Sequence, residues 1–264
     1  MDPAGRGQGD GGARSGGGSA SGPLQPGALT RPTSAGGALA ALEREVIACR
    51  RCPRLVSWRE TAARHPPRRF LGEEYWARPL PAFGDPAARV LLVGLAPAAH
   101  GGNRTGRIFT GDESGNFLFR ALFAAGFSNR PESIRAGDGL RLSGALVTAA
   151  CRCAPPGNHP TPREFDNCRG YLVREIALLP ETAVIVALGG LAFAACLRAL
   201  AENGRTLPRP RPRFAHGARY RIGKQILIGC YHPSQQNTFT GKLTQKMLRQ
   251  VLRRARKEAL SVTS

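Results

Sequence analysis

The sequence predicts an α/β fold, a three-layer α/β/α sandwich around a central four-stranded parallel sheet. Four short apolar runs, each bounded by Gly, Pro or polar residues, are typical of strands that helices cover on both faces. Amphipathic stretches alternate with these runs, as the crossover connections of a parallel sheet require. No repeat is apparent at a period of about 20 to 50 residues, so nothing in the sequence supports a solenoid or a propeller.

The elements follow in order along the chain. The first helix is predicted from Leu39, Leu42 and Val46, which are spaced three and four residues apart, and it runs into the pair Cys49-x-x-Cys52, which closes it. The strands are expected at residues 90–95, 145–149, 183–188 and 226–229. The later helices are expected near residues 116–124, 163–179, 191–201 and 244–257.

The chain divides into a tail, one domain and a short end. Residues 1–37 are rich in Gly, Ser, Ala and Pro and predict a disordered tail, residues 38–258 the domain, and residues 259–264 a short C-terminal tail. No window approaches about 18 consecutive apolar residues, which argues against a membrane span. The odd count of seven cysteines and the lack of an apolar leader indicate the reducing cytoplasm.

The charge balance favours a polyanionic partner. Lys and Arg number 38 against 18 Asp and Glu, a formal charge of +20, and the sequence pI is about 11.2. Nucleic acid is the first such partner. The competing explanation is a scattered basic surface produced by GC-rich coding.

The first motif runs from Gly94 to Asp112, between the first strand and a helix, where open α/β sheets bind ligands. Its glycines let backbone amides approach a ligand, Phe109 is suited to stack on a planar base, and Asp112 to orient or deprotonate a water. The alternative is a solvated glycine-rich loop.

The second motif begins at His232, directly after the fourth strand. A histidine followed by small polar groups suits contacts to a base carbonyl and to phosphates. A satisfied structural histidine is the alternative, but the position opposite the first loop favours the functional interpretation.

The third motif is a set of cysteines, Cys49 with Cys52 and then Cys153 with Cys168. Two separated pairs of thiolates hold either a tetrahedral zinc or an iron–sulfur cluster, and the spacing does not decide between them. Cys151 competes with Cys153 because only one residue separates them. Cys196 and Cys230 lie in apolar runs and read as buried thiols.

Three stretches together resemble the uracil-DNA glycosylases of families four and five, most closely family five, or type B. They are Gly-Leu-Ala-Pro followed by His-Gly-Gly-Asn-Arg-Thr-Gly-Arg and Phe-Thr-Gly-Asp, then Arg-Cys-Ala-Pro-Pro, then His-Pro-Ser followed by Gln-Asn-Thr and Thr-Gly. The resemblance covers roughly residues 38–257.

This resemblance implies a monomeric repair enzyme of the bacterial cytoplasm and nucleoid. It implies base flipping and hydrolysis of the N-glycosidic bond of uracil, and of other bases such as hypoxanthine and ethenocytosine, in double-stranded DNA. It also implies a 4Fe-4S cluster with a structural role, and selects as its ligands Cys49, Cys52, Cys153 and Cys168. A redox role for the cluster stays open.

The same resemblance implies roles for single residues. Phe109 would stack on the extruded base, His232 would stabilise charge on the leaving base, and Asp112 would position the water, with Asn158 as a further contact. The substrate-binding set is Gly94, Ala96, Pro97, Phe109 and Ser234. The DNA-backbone set is Arg104, Arg107, Gln236, Asn237 and Lys242, with the basic final helix beside it.

One departure leaves the water-activating group open. The most familiar uracil-DNA glycosylases have an acid where this chain has Ala96, and family four has a polar residue where it has Leu95. Two alternatives remain: a uracil-restricted enzyme similar to family four, and a non-catalytic iron–sulfur module that binds damaged DNA. The second has no use for both Asp112 and His232.

Overall fold

The computed structural model describes residues 35–261, and its centre is a six-stranded mixed sheet. The strand order is β1-β3-β2-β4-β6-β5. The strands are β1 (Phe83–Gly84), β2 (Val90–Gly94), β3 (Ala145–Ala149), β4 (Val184–Leu188), β5 (Arg219–Ile222) and β6 (Gln225–Cys230).

The four central strands β3, β2, β4 and β6 are parallel and confirm the predicted sheet. The two edge strands are antiparallel to their neighbours and make the sheet wider than predicted. Strand β1 has only two residues, and in β5 exposed arginines replace a continuous apolar run. Neither strand carries the sequence pattern of a strand buried on both faces.

The helices bear out the alternating order. They are α1 (Ala35–Ile47), α2 (Pro53–Arg64), α3 (Gly102–Thr105), α4 (Glu113–Ala124), α5 (Pro162–Leu178), α6 (Gly190–Glu202), α7 (Gln235–Phe239) and α8 (Gln245–Ser261). Helix α2 was not expected. It begins at Pro53, a residue suited to the first helical position, with Cys52 as the N-cap. The pair Cys49 and Cys52 therefore lies between two helices instead of closing one.

The helices form layers on both faces of the sheet. Side chains of β2 alternate, so that Val90 and Leu92 pack with α4 and α8, whereas Leu91 and Val93 pack with α1, α5 and α6. The three-layer sandwich is thus confirmed, and each helix that follows a parallel strand begins at the carboxyl edge of the sheet.

The predicted boundaries shift by a few residues. Residues 1–34 of the predicted tail lie outside the described residues, while residues 35–37 belong to α1. At the other end α8 continues through Ser261, and residues 262–264 lie outside the described residues. Over residues 35–261, no helix is long and apolar enough to cross a membrane.

Candidate active site

Two loops meet at the carboxyl edge of the sheet, one after β2 and one after β6. The rings of Phe109 and His232 lie 5.8 Å apart between centroids, with their planes 35° apart. The two residues are distant in sequence, and the parallel direction of β2 and β6 brings them to the same edge. We call the space beside Phe109, Asp112 and His232 the ring pocket.

Two glycines position Phe109. The residue is largely buried and has a φ of 51°, in the left-handed region that few residues other than Gly adopt. A Cβ on Gly94 would lie 2.5 Å from the Phe109 ring, and a Cβ on Gly115 would lie 2.0 Å from its carbonyl oxygen. Gly94 thus leaves space for the Phe109 ring, which could not occupy this position if residue 94 carried a side chain.

Asp112 is the N-cap of α4. Its Oδ1 accepts a hydrogen bond of 2.8 Å from the Gly115 amide, so part of its role is structural. A Cβ on Gly101 would lie 2.3 Å from Oδ2, which shows that this oxygen faces the loop after β2. Burial raises the pKa of the Asp112 carboxyl, and amide hydrogen bonds from Gly115 and Ser114 partly oppose that rise.

His232 is an uncharged imidazole at neutral pH. Burial lowers the pKa of His232 from its ordinary value to about 4. Its carbonyl oxygen accepts a hydrogen bond of 2.8 Å from Asn237 Nδ2. Asn237, expected to contact DNA, therefore uses its amide to hold the His232 loop.

Two of the residues expected to contact DNA have side chains that are engaged within the protein. The Arg107 guanidinium is buried and forms an ion pair with Asp138 at 2.5 Å. Arg104 pairs with Glu73, donates to the Gly111 carbonyl at 3.1 Å and covers the ring of Phe70. Both guanidinium groups are thus occupied within the protein.

Basic side chains of the final helix, α8, contact the end of α4 that is far from the ring pocket. Arg253 and Arg256 donate to the carbonyls of Ala124 and Ala125, at the C-terminal end of α4. Because α4 begins at the ring pocket and runs away from it, these arginines lie toward the opposite edge of the sheet. Arg253 and Arg256 therefore cap the C-terminal end of α4.

Other expected residues stay near the surface of the loops. Gln236 and Lys242 are exposed, and Lys242 Nζ lies 5.1 Å from the centre of the Tyr231 ring. Ser234 is the N-cap of α7 and its hydroxyl makes no capping bond. Asn158 is exposed with a φ of 61°, and no hydrogen bond joins its side chain to any described residue. Ala96 and buried Pro97 lie in the loop directly after β2.

Sequence reasoning missed two aromatic side chains. The Tyr75 hydroxyl lies 3.0 Å from His100 Nδ1 and holds the loop after β2 from a segment that carries no motif. Phe239 ends α7 and is 79% exposed. A large apolar residue inside a polar loop motif was the signal that could have identified Phe239.

The four cysteines lie near one another, and we call the region between them the cysteine pocket. Cys52 and Cys153 share an apolar cluster with Leu55. Cys49 and Cys168 each raise the pKa of both Cys52 and Cys153 by their charge, so the four thiols are within electrostatic range of one another. No group of three or more His, Cys, Asp or Glu side chains in the described range converges as ligands of one metal ion.

Cys151 also reaches this region. Its thiol forms a hydrogen bond with Cys168, and this bond is the largest cause that lowers the pKa of the Cys168 thiol from its ordinary value. Burial raises the pKa of Cys153 to about 12, and Arg59 opposes that rise. Cys196 and Cys230 are buried in the two main cores, as expected of structural thiols.

Two buried arginines border the cysteine pocket. Arg59 Nη1 donates to Cys153 Sγ at 2.9 Å, and Arg152 pairs with Glu175 at 2.5 Å. Among the described residues, Arg59 Nε and the Nε and Nη1 atoms of Arg152 are buried without a hydrogen-bond partner. Asn167 Nδ2 also donates to Cys52 Sγ at 3.3 Å. This donor set fits a buried group that carries negative charge.

One residue connects the two pockets. The Arg59 side chain donates to Cys153, while its backbone carbonyl accepts a hydrogen bond of 3.1 Å from Asn103 Nδ2. Asn103 is fully buried in α3, within the loop that leads from β2 to Phe109. The loop of the ring pocket is thus fastened to the helix that borders the cysteine pocket.

Comparison with known proteins places this architecture in context. The family model described as the Uracil DNA glycosylase superfamily matches residues 81–256. The type-5 uracil-DNA glycosylase of Thermus thermophilus is 53% identical over 215 residues, which cover 81% of this chain and 95% of the relative. That of Mycobacterium tuberculosis is 49% identical over 225 residues, 84% and 82% of the two chains. The type-4 uracil-DNA glycosylase of Archaeoglobus fulgidus is 30% identical over 158 residues, 59% and 70% of the two chains.

Proposed function

The chain belongs to the uracil-DNA glycosylase superfamily and to its type-5 members, and from that premise we propose that it hydrolyses the N-glycosidic bond of uracil in DNA. We extend the proposal to hypoxanthine and ethenocytosine, to double-stranded DNA as the substrate, and to a monomer as the active form. The observation that carries it is the pairing of Phe109 with His232 at the carboxyl edge of the sheet.

The ring pocket offers the groups that a flipped base needs. Phe109 provides a flat apolar surface, held in place by the space at Gly94. Stacking on such a ring offsets part of the few kcal/mol that extrusion of the base costs. His232 lies at the edge of this surface and supplies an N–H donor toward a base carbonyl.

Cleavage breaks the bond between the sugar C1′ and the base nitrogen, and the bonding electrons leave with the base. A neutral imidazole that donates a hydrogen bond stabilises the charge that develops on the base carbonyl. Water then forms the new bond to C1′, and its proton passes to a carboxylate. Asp112 Oδ2 is the acceptor that we propose, because Oδ1 is engaged by the Gly115 amide.

A broad base preference follows from the side chains after β2. Leu95 and Ala96 supply no polar side chain to read one base edge. A pocket wall without polar side chains rejects a similar base only weakly, because the wrong base leaves no buried polar group of that wall unpaired.

A double-stranded substrate is supported by Phe239. Exposed apolar side chains that insert between base pairs are a common device of proteins that distort duplexes. We propose that Phe239 fills the gap that the extruded base leaves. A single strand offers no such gap between stacked pairs.

The cysteine pocket is proposed to hold a 4Fe-4S cluster on Cys49, Cys52, Cys153 and Cys168. Such a cluster supplies a rigid cross-link among its ligands. Its ligands lie between α1 and α2, after β3 and in α5, so it ties the N-terminal helices to the sheet. Arg59 and Asn167 donate to two of the sulfurs.

The test is single-turnover cleavage of labelled DNA that carries uracil opposite G, uracil opposite A, hypoxanthine opposite T, ethenocytosine opposite G, or uracil in a single strand. Abasic sites are scored after alkali, with His232→Gln as the inactive control. We expect all four duplexes to be cut, with uracil opposite G cut fastest because that mismatch is easiest to open. Cleavage of uracil alone contradicts the broad preference, and binding without any abasic site favours a non-catalytic module.

A further inference from the structure

We propose that residues 209–213, Arg-Pro-Arg-Pro-Arg, form a DNA-backbone clamp beside the ring pocket, an inference that rests on the proposed action on DNA. We call them the arginine segment. They lie between α6 and β5, outside all three sequence motifs. The partner is the phosphate backbone of a duplex, contacted without reading its bases.

The guanidinium groups of this segment are available. Arg209, Arg211 and Arg213 are exposed, and within residues 35–261 none of the three side chains has a hydrogen bond, an ion pair or a ring contact. Arg104 and Arg107, which sequence reasoning assigned to DNA, are occupied instead by Glu73 and Asp138. Uncommitted cations are the ones that contribute to phosphate binding by counterion release.

The segment is stiff. Pro210 and Pro212 each restrict φ, which reduces the conformational entropy lost when the neighbouring arginines bind. Pro212 is buried, whereas Arg211 and Arg213 on either side of it are exposed. The Tyr220 hydroxyl donates to the Arg213 carbonyl at 2.8 Å and accepts from the Arg213 amide at 3.2 Å. The backbone is therefore fixed before any DNA binds.

Aromatic contacts fasten the segment to the ring pocket. Phe214 follows Arg213, and its ring lies 6.1 Å from the ring of Tyr231, the residue before His232. The Tyr231 amide donates to His216 Nδ1 at 3.2 Å. Lys242 lies over the same tyrosine ring at 5.1 Å. Arg213 and Lys242 are thus arranged around the residue that precedes His232.

The segment leads toward the edge of the sheet where the ring pocket lies. A Cβ on Gly223 would lie 3.1 Å from Arg205 Cδ, so the connection that follows α6 starts beside the turn between β5 and β6. Strand β5 runs antiparallel to β6, so residues before Arg219 approach the edge where β6 ends. Of the three arginines, Arg213 is the nearest in the chain to Phe214, whose ring contacts Tyr231 after β6.

The experiment measures how binding of undamaged duplex DNA depends on salt. We compare the full-length protein with Arg211→Gln/Arg213→Gln. The matched control is Arg221→Gln/Lys257→Gln, which removes two exposed cations, one opposite Ile226 near the start of β6 and one toward the C-terminal end of α8. We expect the slope of log affinity against log salt to fall by about one unit per arginine of the segment, and less in the control. The single changes should weaken binding most for Arg213 and least for Arg209.

Equal slopes for the clamp variant and the control overturn the proposal, because a general loss of charge then explains the change. Undamaged DNA keeps this result independent of catalysis. If no lesion is cleaved but the slope still falls with the segment, the proposed function fails and the clamp stands. If lesions are cleaved and the slope is unchanged, the clamp fails alone. Thermal unfolding of both variants shows that the fold is retained.

Discussion

The cysteine pocket and the ring pocket lie in one domain but treat charge in opposite ways. Arg59 and Arg152 are each 2% exposed beside the cysteines, and three of their nitrogen atoms have no partner among the described residues. Burial at the ring pocket instead favours neutral groups, since it lowers the pKa of His232 and raises that of Asp112.

The difference indicates what each pocket accepts. A buried guanidinium without a full set of partners is costly, so it persists where an anionic group completes the site. Four thiolates on a cluster would be such a group. At the ring pocket the neutral His232 imidazole suits an uncharged base, and negative charge on that base develops only during cleavage.

The largest expected effect comes from the cysteine pocket. Cys153→Ser should remove most of the iron and destabilise the protein, because Cys153 is a proposed cluster ligand and its sulfur receives the Arg59 hydrogen bond. Cys151→Ser is the matched control, since it changes a buried thiol two residues away and should retain iron. Iron content per chain, visible absorption and thermal unfolding of anaerobically purified protein are the measurements.

The opposite result would assign the ligand to Cys151. Its thiol is bonded to Cys168, so a Cys151→Ser protein that loses iron while Cys153→Ser keeps it would move the fourth ligand by two residues. The buried arginines would then have to be explained without a cluster at Cys153.

Two variants of Asp112 distinguish a role in catalysis from a role as the N-cap of α4. Asn caps a helix about as well as Asp does, so Asp112→Asn keeps the bond from Gly115 but removes the carboxylate charge. Asp112→Ala removes both. If Asp112 takes the proton from water, we expect both variants to lose about 10²- to 10⁴-fold in single-turnover rate.

The free energies of unfolding of the two variants measure what the Asp112 cap contributes to stability. The Ala variant should lose about 1 kcal/mol more stability than the Asn variant because it lacks the cap. An Asn variant with near-normal cleavage would leave Asp112 with the cap alone, and catalysis to the electrostatics around the leaving base.

Local patterns predicted the parallel sheet and two loops that meet at one edge of it. Apolar runs marked the four parallel strands because strands buried on both faces cannot be polar. The order of the strands then brought Phe109 and His232 together. The edge strand β5 escaped detection, because its solvent-facing arginines break the apolar pattern on which strand prediction depends.

The sequence could not reveal which arginines are free. Arg107 and Arg211 are the same residue type, but Arg107 is buried against Asp138 and Arg211 is exposed. That outcome depends on contacts between residues distant in sequence. The same holds for Arg59, which joins Cys153 to Asn103 from a helix that carries no predicted motif.

The smallest expected effect tests the charge of His232. Burial lowers the pKa of His232 from its ordinary value of 6.5 to about 4. Between these two pH values the unfolded chain therefore binds more protons than the folded chain. The contribution of neutral His232 to stability is therefore complete above about pH 6.5 and is lost as the pH falls toward about 4. In His232→Gln, urea unfolding should depend less steeply on pH across this window. His65→Gln, at an exposed histidine after α2, is the matched control.

The pH dependence of the cleavage rate is a second test of the charge of His232. An imidazole that stays neutral gives no inflection near pH 6.5 in the single-turnover rate, because its protonation state does not change there. An inflection near pH 6.5, with the His232 ring titrating at the same pH by NMR, would mean that its pKa is not lowered and that the imidazole becomes charged below that pH. The ring pocket would then resemble the cysteine pocket in holding a buried cation, and the contrast between the two would no longer hold.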